Sequence, residues 1–355
     1  MAKESKISNN IVKDLTLDEA QKLIQLCGNN VTVFVEGEPG IGKSTILKML
    51  KASLGEAEYD YVYVDCPLID LPDFAMPYVQ EGVTHYAPSS LWKFGSPKKK
   101  VIMLDEVSKA PNVVKPMFTR LMLERCVGEF ELPDGSIVFA TGNRASDGVG
   151  DTMQGHINNR VTRVTVGKPS VEAWVDWAIE HKVNENVIAA VHAMPNVLNS
   201  YIDDPENSYI FNPKRNTGAY ASPRSLAKAG FICDNRKAFG PDLTLESLKG
   251  TVGVSFALQL AAYWDVADTL PTWAEIEKNP SKTVIPKSPA AQLLLLFGSI
   301  GQTTPKNAKA FTEYFFRFDP ELRMLWARQF KSRINIVMGV ERFRKTLTEE
   351  CWIYQ

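Results

Sequence analysis

Residues 31–45 read VTVFVEGEPGIGKST, an apolar β-branched run that gives way to Gly37-Glu38-Pro39-Gly40-Ile41-Gly42-Lys43-Ser44-Thr45. A Gly-x4-Gly-Lys-Ser spacing directly after a strand is that of a phosphate-binding loop. Its glycines let the backbone curl until successive N–H groups aim at one anion, while Lys43 offers a point charge and Ser44 a hydroxyl for Mg2+. The ligand expected of such a loop is a nucleoside triphosphate. A second apolar run, VIML at 101–104, ends in Asp105 and Glu106. Two adjacent carboxylates then stand at the C-terminal end of a strand, where open α/β sheets place their ligands. A third run, IVFAT at 137–141, ends in Gly142 and Asn143, so an amide stands at the tip of another strand.

These groups can meet only if parallel strands bring their C-terminal ends to one edge. Besides the strand before the loop, YVYVDC (61–66), VIMLD (101–105), IVFAT (137–141) and VTRVTV (161–166) have strand composition. Helical or loop stretches separate them, which predicts a doubly wound parallel sheet of five strands. Thr16-x-x-Glu19 is a capping-box start, followed by Ala20, Leu23 and Ile24 at helical spacing. Residues 1–167 are thus expected to form a nucleotide-binding α/β domain with a long insert at 67–100. Beyond Pro169 the periodicity becomes helical: VEAWVDWAIEHK puts Val171, Trp174, Val175 and Ala178 on one face. Residues 168–265 are expected to form an all-α domain and 266–355 a further helical extension, with a loop at 201–221. The run Lys98-Lys99-Lys100 reads as a solvated loop before the third core strand.

A chain of 355 residues exceeds the usual size of one core, so at least two domains are expected. With 40 basic and 41 acidic side chains the net charge is -1, and no global field draws the chain to nucleic acid or to an acidic membrane. Cys27, Cys66, Cys126, Cys233 and Cys351 show neither metal spacing nor disulfide-scaffold density, and are expected to be reduced thiols. The polar start MAKESKISNN lacks the apolar stretch of a signal peptide, and the greasiest run, 290–300, is too short to span a bilayer. A soluble, cytoplasmic protein is expected.

Two arginines complete the pattern. Arg160, in HINNRVTRV, precedes the last core strand, with Arg163 close behind; Arg224, in ASPRSLAKAG, follows Ser222, a plausible N-cap, and Pro223. The ordered set GEPGIGKS, LDEVSKAP, ATGN, NNR and SPR resembles the MoxR branch of AAA+ ATPases over about residues 10–235. The insert at 67–100 and CVGEFELPDGS (126–136), which looks like a pre-sensor hairpin, agree with that branch, although Val161 stands where the family often has Phe. The resemblance implies an AAA+ P-loop NTPase sheet followed by an all-α lid. LDE looks like a Walker B motif, in which Asp105 with Ser44 would hold Mg2+ and Glu106 would polarise the attacking water. Asn143 is similar to a sensor 1 residue, Arg160 to a finger acting on a neighbouring subunit, with Arg163 as its nearby competitor, and Arg224 to a sensor 2 residue on the lid. The implied cofactors are ATP and Mg2+, and the implied assembly is a ring, usually hexameric. The implied role is chaperone-like remodelling of a protein client, often with a von Willebrand factor A partner. Two other functions fit the same core: an ATP-gated scaffold with negligible hydrolysis, and a nucleic-acid-stimulated motor.

Overall fold

Val33, Phe34 and Val35 are all buried, so the strand they form is covered on both faces, as the centre of a parallel sheet requires. In the computed structural model, which describes residues 14–144, 160–215, 218–267 and 269–349, this strand is β1 (Val33–Glu36). It pairs in parallel with β8 (Ile137–Gly142) on one side and β9 (Thr162–Thr165) on the other. Strand β5 (Lys99–Asp105) lies between β8 and β2 (Tyr59–Asp65), giving the order β2-β5-β8-β1-β9. Alternating side chains feed two cores. On one face Val33, Val35, Val101, Met103, Ile137 and Phe139 pack with helices α1 (Leu17–Cys27) and α2 (Ile46–Leu54). On the other, Phe34, Val62, Ile102, Leu104, Val138 and Ala140 pack with helix α3 (Lys115–Glu124). Helix α1 starts with the expected capping box, the Thr16 hydroxyl accepting from the Glu19 amide while the Glu19 carboxylate takes the Thr16 amide.

The insert is ordered around an antiparallel hairpin, β3 (Ala75–Gln80) and β4 (Val83–Pro88), turned by Glu81 and Gly82, both at positive φ. Buried Phe74 and Trp92 anchor its base, with ring centroids 5.4 Å apart. One expectation fails here. Lys99 and Lys100 belong to β5, and Lys100 is fully buried, its ammonium 2.7 Å from Asp60 Oδ2 and 2.9 Å from the Ser96 carbonyl. The register sets Asp60 opposite Lys100 on the neighbouring strand, which supplies the counter-charge a buried ammonium needs. The short strands β6 (Cys126–Val127) and β7 (Phe130–Glu131) form the expected hairpin before β8.

The chain divides into two compact units, one reaching to Lys168 and including Asn212–Arg215, the other holding the rest from Pro169 on. The second unit is helical, beginning with α4 (Val171–Glu180) and α5 (Glu185–Ala193) and continuing through α6 (Pro223–Asp234), α7 (Pro241–Val252), α8 (Val254–Ala267) and α9 (Pro289–Gln302). The expected division at 265/266 falls inside α8, and one buried cluster joins Trp174 and Leu226 to Leu294, Trp326 and Phe343. A lid and a separate extension therefore differ from what the structure has, because both stretches contribute to a single core. Trp326 sits at its middle, stacked on Phe315 at 5.0 Å and donating its indole N–H to Ser299 Oγ at 2.8 Å. The greasy run at 290–300 is the buried stretch of α9, and among the described residues no helix is long and apolar enough to cross a membrane. Cys27, Cys66, Cys126 and Cys233 are free thiols. The N-terminal decapeptide, residues 156–159 and Cys351 lie outside the described residues.

Candidate functional site

The register brings three strand ends level. Glu36 pairs with Gly142 and Leu104 with Ala140, so the loop leaving β1, Asn143 leaving β8 and the Asp105-Glu106 pair ending β5 lie side by side at strand spacing. In the loop, Gly40 and Gly42 have φ of 82° and 103°, a region closed to most side chains. A Cβ on Gly37 would stand 2.6 Å from the Val166 carbonyl oxygen, so only glycine fits where the loop passes the end of β9. The turn of residues Lys43–Thr45 then leads into α2, closed by the Thr45 hydroxyl donating to the Gly42 carbonyl at 2.6 Å. Ile41 is buried, plugging the loop into the core beneath, while Pro39 and Ser44 are half-buried and Thr45 is exposed.

Lys43 reaches back across this loop. Its ammonium donates to the carbonyls of Gly37 (2.6 Å) and Glu38 (3.0 Å) and to Asn143 Oδ1 (3.1 Å). The loop lysine and the strand-tip amide are thus in direct contact, as their chain order predicts. Asp105 is fixed from two sides. The buried Thr141 hydroxyl donates to Oδ1 and the Tyr63 hydroxyl donates to Oδ2 at 2.8 Å. Burial, and after it the bond to Asp105, pushes the Tyr63 phenol well above its ordinary value, so Tyr63 stays a donor. Glu106 follows in the left-handed region, φ 52° and ψ 41°, a strained conformation for a residue with a Cβ. Its amide donates to Thr141 Oγ1 at 3.3 Å and its carboxylate is ion-paired with Lys109. Ser44 and Asp105 are oxygen donors of the hard kind that Mg2+ prefers, and few protein carboxylates are usual where phosphates complete the shell.

Residues 32–152 match the AAA domain of the dynein-related subfamily. With the five-stranded parallel sheet and the helical C-terminal unit, the fold class is that of an AAA+ P-loop NTPase. No curated protein is similar enough to count as a match. Solved structures are similar only distantly. A RuvB mutant from Thermotoga maritima is 13% identical with a TM-score of 0.37, over 75% of this chain and 74% of that one. NtrX from Brucella abortus in complex with ATP is 14% identical with a TM-score of 0.40, over 90% of this chain and 68% of that one. At that distance neither says what this AAA domain binds or does.

Arg160 and Arg163 belong to the same unit as Lys43, and Arg224 to the helical unit. Arg160 is exposed, two residues before Thr162, whose register partner is Val33. It stands in the turn that leads into β9, whose first residue pairs with the first residue of β1. That is the opposite end of the sheet from the loop. Arg163 is taken by Glu36, with contacts of 2.5 and 3.2 Å, and lies over the Phe34 ring. Arg224 is exposed on the first turn of α6 in the helical unit, behind a Ser222 cap that accepts from the Ser225 amide. Three residues around Asp105 and Glu106 carry no motif in the sequence, Tyr63, Lys109 and Thr141, and a fourth, Lys168, meets Glu38 of the loop. Thr141 carried the one available signal, a hydroxyl ending the strand beside the Asp105 strand.

Proposed function

We propose that the chain is an ATPase that binds ATP in the loop of residues 37–45 and hydrolyses it with Mg2+. The observation that carries this reading is the contact of Lys43 with Asn143 beside an Asp105 held by Thr141, all at one edge of the sheet. In this reading the backbone N–H groups of the loop and Lys43 take the β- and γ-phosphates. Ser44 and Asp105 hold the Mg2+, which when bound offsets charge building on the phosphates. Glu106 orients and polarises the attacking water, and Asn143 positions the same water from the next strand. Arg160, too far from its own loop, serves the loop of a neighbouring copy, where such a finger contributes on the order of 1,000-fold or more. Arg163 is less suited, since Glu36 of its own strand pair engages it. Arg224 is assigned a sensor 2 role by motif order alone.

The working form is then a ring with sites between subunits, and the helical unit acts as lid. Motif order favours the MoxR branch, chaperone-like remodelling of a protein, and a von Willebrand factor A partner. A protein client also suits the insert better than nucleic acid does. Met76, Tyr78, Val79, Val83 and Tyr86 of its hairpin are exposed, with Glu81 at the tip, and Lys100 is buried rather than part of a basic lining. Glu106→Gln is the direct test. ATP affinity should stay within about twofold, while turnover falls on the order of 100-fold or more. Wild-type turnover in the variant would refute the role, and stimulation of the wild type by DNA would promote the motor reading instead.

A further inference from the structure

Glu38 is an anomaly: a carboxylate inside a loop built to attract an anion. It is 2% exposed. Its Oε2 lies 3.1 Å from the ammonium of Lys168, whose side chain is 4% exposed, so the two form a buried ion pair. Lys168 arrives there because β9 runs against the start of the loop. The Val166 amide donates to the Glu36 carbonyl at 2.7 Å, the Gly167 amide donates to the Leu15 carbonyl at 3.0 Å, and Gly37 is crowded against Val166. Two lysines therefore hold Glu38 at its two ends. Lys43 takes its backbone carbonyl at 3.0 Å and Lys168 takes its carboxylate.

We infer that Lys168 is a positioning residue for nucleotide, resting on the ATP-binding reading above: it neutralises Glu38 and fixes the loop so that Lys43 and the loop N–H groups keep their aim. Without Lys168 the buried Glu38 carboxylate loses a counter-charge beside a site meant for a polyanion. Breaking such a pair on one side is costly, whereas removing both charges is often tolerated. The repulsion must also grow with the charge of the ligand, which a merely structural defect would not do.

The test measures ATP, ADP and adenosine binding by calorimetry to the full chain, with thermal melts on each variant. Lys168→Met should weaken ATP by at least tenfold, ADP by less, and adenosine hardly at all. Lys168→Met combined with Glu38→Gln should return ATP affinity to within about threefold of wild type, and Glu38→Gln alone should bind ATP no more than about threefold more weakly. Wild-type affinity in Lys168→Met, equal losses for all three ligands, or a folded double variant still tenfold weak would each overturn the inference. Should Lys168→Met not fold, the double variant and Glu38→Gln decide it, a tenfold loss in either counting against. A wild-type chain that binds neither ATP nor ADP, or a Lys43→Ala chain that binds them as well as wild type, would sink the nucleotide reading itself.

Discussion

Thr141 has one hydroxyl and two duties, donating to Asp105 Oδ1 while accepting from the Glu106 amide. Valine has the same shape and can do neither. Groups that orient a metal-binding carboxylate typically contribute 10- to 100-fold to metal affinity or activity. Thr141→Val is therefore expected to lower Mg2+-dependent turnover by on the order of 10- to 100-fold and to shift its Mg2+ dependence upward, leaving metal-free nucleotide affinity within about twofold. Steady-state ATPase assays across a Mg2+ titration check this, and an unshifted titration would remove Thr141 from the role. At this scale Asp105, Glu106, Lys43 and Asn143 were legible because each ends an apolar run or sits in a fixed spacing. Tyr63 and Thr141 were not, since a hydroxyl within a strand looks the same whether it faces solvent or a carboxylate.

Strand β5 shows how an element reassigns its residues. A run of three lysines suggests solvent, yet the pairing with β2 extends back to Tyr59 and Lys99 and draws Lys100 into the core opposite Asp60. The Lys100 ammonium, donating to Asp60, holds that carboxyl below the ordinary aspartate value. A depressed folded-state pKa means the stabilisation is complete above the ordinary value, about 4, and is lost as pH falls through the depressed one. Asp60→Asn should thus cost about 3 kcal/mol at neutral pH by leaving Lys100 buried without its counter-charge. Urea unfolding should show that difference constant from pH 7 down to about 5 and shrinking below about 4. A pH-independent gap would mean that Asp60 acts through packing alone. The run misled because local composition carries no knowledge of the strand that will lie alongside.

For the whole molecule the decisive fact is the placement of Arg160 at the end of the sheet opposite the loop. If it acts on ATP it acts on another copy's. Mixing Arg160→Ala chains with Lys43→Ala chains should then restore part of the hydrolysis that each lacks alone, because some boundaries of the mixed ring pair an intact Lys43 with an intact Arg160. Assays on mixtures at several ratios, with assembly followed by light scattering, check it. No recovery in a proven mixed ring would place Arg160 outside catalysis.

The sheet, its flanking helices and the clustering of Lys43, Asp105 and Asn143 were determined by the sequence itself. Parallel strands buried on both faces must be written as continuous apolar runs, and a phosphate loop must be written in glycines at fixed spacing. Tertiary structure alone decided that Lys168 meets Glu38, that Lys100 is buried against Asp60, and that residues on both sides of 265 share one core around Trp326. Each of those depends on segments distant in the chain coming together, and no periodicity within a segment records which distant segment it will meet.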